Sequence, residues 1–203
     1  MKKFILTVCF LSFFSVAAHA EHFAFKIGEN RASFGIGFGW MNKGDRFGGG
    51  TWNFPSPNAL VERSILPFRD FGFLSVGAQF GFHHGHRNHS ASGDIPRFRE
   101  FWTSFYFVPR VALYFHEIFH PDDFPERIDL YVGVGLGFNY LSHGLSSDVT
   151  WESLGPTHRD NSGFKFGYHF FVGGRYYFRE NMAVFAEIGY GLSFLNVGIT
   201  LRY

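Results

Sequence analysis

From Ser33 onward, large apolar residues fall on every second position over long stretches. Ser33-Phe34-Gly35-Ile36-Gly37-Phe38-Gly39-Trp40 alternates small with large. The stretch Leu130 to Phe138 does the same with Val132, Val134 and Leu136, and Leu195 to Tyr203 does so with Val197, Ile199 and Leu201. A period of two over eight or more residues marks β-strands rather than helices. The pattern predicts an all-β chain of eight such segments, roughly 32–41, 58–67, 72–84, 98–116, 127–141, 163–178, 182–191 and 193–203. The second is the least regular, and Asn58 to Arg63 also reads as the start of a capped helix. It is kept as a strand because an antiparallel sheet that closes on itself needs an even number of strands.

The links between segments differ in a regular way. Short or moderate ones follow segments two, four and six: Phe68-Arg69-Asp70-Phe71, His120 to Pro125, and Arg179-Glu180-Asn181. Longer ones, about 42–57, 85–97 and 142–162, follow segments one, three and five and are rich in Gly, Ser, Asn, Pro and His. The last link, at Gly191-Leu192, is tight. Short turns at one end and longer loops at the other are the pattern of an up-and-down transmembrane barrel. The bulky alternate positions form one face, with Phe34, Ile36, Phe38, Val184, Ile188 and Ile199 among them, while the other face is mostly Gly, Ser, Thr and Asn with a few charges. A soluble barrel would turn a Lys- and Glu-rich face to water. A glycine-dominated face suits the crowded lumen of a narrow barrel, so the bulky face is predicted to meet lipid, where a closed barrel satisfies every backbone hydrogen bond. Trp40, Tyr140 and Tyr190 near loop-side ends, and Phe73, Tyr176, Phe178 and Tyr203 near turn-side ends, are expected to form two interfacial girdles.

Composition sharpens this picture. The chain has 30 Phe and 25 Gly among 203 residues, and only 17% charged residues, against about 25% for a soluble domain. The first twenty residues stand apart. Lys2 and Lys3 precede an apolar run from Phe4 to Val16, and Ala18-His19-Ala20 matches a signal-peptidase site, so residues 1–20 read as a signal peptide and 21–203 as the barrel domain. The run is too short to span a bilayer as a helix. Leu6-Thr7-Val8-Cys9 is set aside as a lipoprotein box because Val8 is bulky where a small residue is needed. Cys9 is the single cysteine and leaves with the signal, which removes disulfide and thiol chemistry from the mature chain. Without Lys2 and Lys3 the 18 basic residues become 16 against 17 acidic, a formal charge of −1 and no footprint for nucleic acid.

The segments Arg175 to Asn181, Val184 to Gly191 and Leu195 to Tyr203 resemble the C-terminal strands of the small outer-membrane β-barrel family, the eight-stranded OmpA/OmpX-like group. The likeness covers most of the mature chain by pattern and is specific over about the last thirty residues. It implies an eight-stranded antiparallel barrel in the outer membrane of a Gram-negative cell, surrounded by outer-membrane lipid. It also implies that Val197, Ile199, Leu201 and Tyr203 are an insertion signal read by the barrel-assembly machinery. Such a fold hosts unrelated functions.

Four charges are predicted to point into the lumen at one level: Glu62, Arg110, Arg175 and Glu187. Unpaired, each would be costly, so an interior Glu–Arg cluster that plugs the barrel is expected, with a gated polar pathway as the alternative. Asp129 and Arg202 are expected to pair nearer the turn side, and Arg63 falls on the outer face. His83, His86 and His89 are candidate metal ligands within a histidine tract, although the tract holds no carboxylate and matches no ligand spacing. His89-Ser90, Ser142-His143 and His169 are the residues a deacylase-like site would draw on, but neighbours on a strand face opposite ways. The alternating glycines match no phosphate loop and are expected to make room for Arg110, Tyr106 and Arg175. Trp52 and Trp151 lie in loops that could contact an outside partner. The sequence thus points to a non-enzymatic integral outer-membrane protein without cofactors, in a structural or surface-interaction role. The alternatives are a lipid-modifying enzyme and an accessory barrel of a secretion or transport assembly.

Overall fold

The computed structural model describes residues 28–39, 51–53, 55–68, 72–89, 97–115, 127–146 and 162–203. Eight long strands form the fold: β1 (Asn30–Phe38), β3 (Ser56–Phe68), β4 (Gly72–His89), β5 (Phe98–Phe115), β6 (Ile128–Ser146), β7 (Gly163–Arg179), β8 (Met182–Tyr190) and β9 (Leu195–Arg202). A three-residue strand, β2 (Thr51–Asn53), pairs only with the loop-side end of β4. Each long strand lies antiparallel beside its sequence neighbour, and β1 pairs with β9 from Arg31↔Arg202 to Phe38↔Leu195. That last ladder closes the ring, which leaves the long strands no unpaired edge.

Alternation sorts the side chains as the sequence predicts. Phe34, Ile36, Leu136, Phe138, Val172 and Ile188 are among the exposed large apolar side chains on the outer face, and Phe164 is 81% exposed. A continuous apolar surface of this kind is incompatible with water and suits hydrocarbon. Inside, Phe73, Ala112, Tyr114, Tyr131 and Phe171 pack into a buried cluster at the turn-side end. Phe73 is therefore not a girdle residue: it shares the inward face of β4 with Ser75 and Gln79 and stacks on Tyr114 with ring centroids 4.7 Å apart. Tyr140 and Tyr190 do face outward, whereas Trp40 lies outside the described residues.

Strand lengths divide the wall. β1, β8 and β9 have 9, 9 and 8 residues, whereas β4 to β7 have 17 to 19. At about 3.3 Å per residue the short strands match a tilted bilayer crossing, and the long ones run well past it on the loop side. The sequence pattern ended the third and fifth segments at 84 and 141, too early. Beyond His84 the residues are polar on both faces, so hydrophobic alternation is silent, yet the ladder with β5 runs on through Gly85↔Trp102 to His89↔Phe98. The second segment is a strand, with a bulge between Ser64 and Leu66 that turns both Ile65 and Leu66 outward.

Candidate functional site

The lumen is filled at the level where the ring is complete. Glycines on the wall make the space. A Cβ on Gly133 would lie 2.2 Å from the Phe171 ring, and one on Gly81 would lie 2.1 Å from that of Tyr106. The room goes to aromatic rings more than to Arg110 and Arg175, as rings are the largest rigid groups inside.

Glu62 on β3, Arg110 on β5, Arg175 on β7 and Glu187 on β8 meet in this space, each at most 4% exposed. Arg110 grips Glu187 as a fork, Nη2 donating to Oε1 at 2.7 Å and Nη1 to Oε2 at 3.3 Å. Tyr131 donates to the same carboxylate at 3.0 Å and Asn196 at 3.4 Å. Arg175 donates through Nη2 to Glu62 and through Nη1 to the Tyr114 hydroxyl. The Tyr114 hydroxyl lies 3.2 Å from both Glu62 oxygens, and Ser75 donates to one of them at 3.2 Å. Aromatic faces enclose the guanidinium groups: Arg110 sits 3.6 Å from the Phe171 centroid and Arg175 4.6 Å from that of Tyr131. A low dielectric strengthens such contacts and makes any broken one expensive.

The second ion pair differs from expectation. Asp129 pairs with Arg31, at 3.3 Å, and Arg202 turns to Glu29 at 3.5 Å. Strand β1 begins at Asn30, ahead of the predicted start at 32, so Arg31 takes an inward position directly opposite Arg202. Arg31 is fully buried, stacks 4.3 Å from the Tyr114 centroid and also reaches the Tyr177 hydroxyl at 3.4 Å. Two arginines facing one another across a ladder cannot share one carboxylate comfortably, so one goes inward and the other to the rim. With Arg31 and Asp129 the inner network holds three cations and three carboxylates. Arg63 is exposed on the outer face, as its parity requires.

The missing partners were legible only in part. Tyr114 and Tyr131 share the inward parity of Arg110 and Asp129, but nothing local says which tyrosine reaches which carboxylate. Above the network a polar tier continues: Asn58 donates to Asn196 at 2.9 Å, and Gln79 to Asn58 at 3.2 Å.

A different cluster sits on the inner face of the tall wall, near its loop-side end. Glu100 on β5 accepts from His143 Nε2 of β6 at 2.7 Å and from His89 Nε2 of β4 at 2.9 Å. A carboxylate only accepts, so each ring carries its hydrogen on Nε2. The hydrogen bond from His143 holds the Glu100 carboxyl down at about 2, against the opposing effect of partial burial. The histidine tract does not converge. His83 and His89 face inward six residues apart, and His86 faces outward between them. Among the described residues no three His, Cys, Asp or Glu are placed to hold a metal ion. Of the two sequence-adjacent serine–histidine pairs, only Ser142-His143 lies within the described residues, and it forms no dyad. Ser142 faces out where His143 faces in, and Ser90 lies outside the described residues. His169 is buried in the lumen, its ring 5.0 Å from Phe171. Val197, Ile199, Leu201 and Tyr203 are all exposed on the outer face of β9. Trp52 is on β2, opposite His86, while Trp151 and residues 1–20 lie outside the described residues.

No family model and no curated protein matches the chain. Solved structures do. The outer-membrane protein OprG from Pseudomonas aeruginosa superposes with a TM-score of 0.51 at 10% identity, over 90% of this chain and 99% of that one. The N-terminal β-barrel domain of OprF from the same organism gives 0.43 at 11% identity, over 87% and 98%. Ail, the attachment invasion locus protein of Yersinia pestis, gives 0.44 at 13%, over 88% and 100%. The likeness to OprG carries the architecture: the chain has the eight-stranded antiparallel fold of a small outer-membrane barrel.

Proposed function

We propose that the protein is an integral outer-membrane barrel, exported by a signal peptide cleaved after Ala20, whose lumen is a structural plug and whose role is non-enzymatic. The observation that carries this reading is the network of Arg31, Glu62, Arg110, Asp129, Arg175 and Glu187. It spans the lumen where the ring is complete, and its members are nearly inaccessible. A conducting pathway needs a polar channel open to water at that level; here aromatic rings occupy the space between the charges. The apolar outer face and the outward row Val197, Ile199, Leu201 and Tyr203 support insertion from the periplasm by the barrel-assembly machinery. The long loop-side wall supports a surface-interaction role for that end.

Planar-bilayer recording tests the plug. The folded protein is expected to give no steady conductance, and a persistent open-pore current would overturn it. Membrane fractionation with N-terminal sequencing tests the rest: the mature chain should band with outer membranes and start at Glu21.

A further inference from the structure

The outer face of the tall wall is built in rows. Hydrogen-bond register places Phe80, Phe107, Phe138 and Phe166 side by side across β4 to β7, and Phe82, Phe105, Tyr140 and Phe164 in the next row towards the loops. Eight consecutive aromatic positions thus cover four strands. Their rings touch in pairs, Phe80–Phe107 at 4.9 Å, Phe82–Phe105 at 5.2 Å and Tyr140–Phe164 at 5.0 Å. Between them runs a shallow apolar groove lined by Phe80, Phe105, Phe107, Phe138, Tyr140 and Phe164. The opposite, short wall mixes the two types at its outward positions, with Ile36, Val184, Ile188, Val197 and Ile199 beside Phe34, Phe38 and Tyr190.

Immediately loop-side of the aromatic rows the outer face changes character. The next rows pair His84 with Thr103, His86 with Phe101, and Asn88 with Arg99. His84 Nδ1 and Thr103 Oγ1 are 2.9 Å apart, and Arg99 Nε donates to Asn88 Oδ1 at 3.0 Å, which orders these groups above the rings. Arg97 and Arg99 are exposed. Among the described residues, the outward positions of these rows on β4, β5 and β6 hold Arg99, two imidazoles, hydroxyls, an amide, Phe101 and Gly144, and no carboxylate. Glu100, the one acid on this stretch of β5, faces the other way.

An apolar groove under a tier of cations and hydrogen-bond donors has the polarity of a single amphiphile. We propose that this face of β4 to β6 binds a phosphorylated lipid of the surrounding leaflet, with acyl chain along the aromatic groove and phosphate against Arg99 and the His84–His86 tier. The proposal rests on the membrane-spanning reading above. Charge complementarity commits the occupant. A neutral lipid would leave the basic tier unused, and an apolar protein surface would have to desolvate it. Guanidinium recognises phosphate by paired hydrogen bonds, and an imidazole N–H adds a single one.

Native mass spectrometry tests it, on protein folded into dimyristoyl phosphatidylcholine bilayers doped with equal amounts of dimyristoyl phosphatidic acid and dimyristoyl glycerol. The phosphatidic acid should be retained preferentially. Arg99→Gln should lower that retention about fivefold, the weight of one cation near an anionic phosphate. Arg63→Gln, an exposed outward arginine on β3, should leave it unchanged, and soluble glycerol phosphate should not displace the lipid. Equal retention of the neutral lipid, equal loss in both arginine variants, displacement by the soluble phosphate, or a lipid-free dimer would each overturn the proposal. A chain that does not fold into bilayers at all, giving no heat-dependent gel shift, would instead overturn the membrane reading on which it rests.

Discussion

Arg110 and Glu100 face the same way on the same strand, yet their surroundings differ in kind. Arg110 lies where eight strands close the ring, and its side chain is inaccessible between Glu187, Gln79 and the Phe171 ring. Glu100 lies where β5 has outrun β1, β8 and β9, keeps 16% of its side-chain surface, and is held by two histidines from its immediate neighbours in the sheet. The turn-side region is stabilised by contacts across the lumen, between strands distant around the ring. The loop-side region is stabilised along the sheet, strand to adjacent strand. Closure is what converts a half-exposed sheet face into an interior.

The sharpest way to break this contrast is to remove one cation from the closed region. Arg175→Ala leaves the Glu62 carboxylate without its strongest partner in a dry site, and is expected to cost about 3–5 kcal/mol, read by denaturant unfolding of the folded barrel in detergent micelles. Pairing it with Glu62→Gln should recover part of that loss; a double variant as weak as the sum of the singles would mean that the two side chains do not act together. Filling space should be the next largest effect. Gly81→Ala puts a methyl 2.1 Å from the Tyr106 ring and should cost about 1–3 kcal/mol by overpacking, measured the same way. On the outer face of the tall wall, Phe107→Ala removes one ring from its 4.9 Å pair with Phe80. Lipid refills the gap, so about 0.5–1.5 kcal/mol is expected; a loss as large as that of Arg175→Ala would erase the distinction between the regions.

The smallest effect is a pH dependence confined to the loop-side end. The Glu100 carboxyl is lowered from 4.5 to about 2 in the folded protein. Its contribution is therefore complete above the ordinary carboxyl range and is lost as pH falls from about 4.5 through about 2. Amide hydrogen exchange at the loop-side ends of β4, β5 and β6 should lose protection across that window in the wild type. Glu100→Gln should lack that dependence, and identical profiles would show that the histidine–carboxylate cluster does not hold these strand ends.

Much of the site was readable because a strand's period is two. Parity alone put Glu62, Arg110, Arg175 and Glu187 inward and Arg63 outward. It failed where the pattern has no apolar residues to count. Residues 85–89 alternate among Gly, His, Arg and Asn, so their strand is visible only through its pairing with β5. Arg31 was missed for want of one more residue at the start of β1. Glu100 and His143 are 43 positions apart and become neighbours through the β5–β6 register, which places His143 opposite Trp102 and one step from Glu100.

Alternation of small and large residues, by itself, determined that the chain is all-β, which face is apolar, and which charges are inward, because side-chain direction along a strand depends only on local backbone geometry. The tertiary structure decided which charges meet. Whether Asp129 takes Arg31 or Arg202, which tyrosine seals which carboxylate, and where the aromatic rows line up depend on register and ring closure. Those are set by contacts between residues far apart in sequence, and no local pattern encodes them.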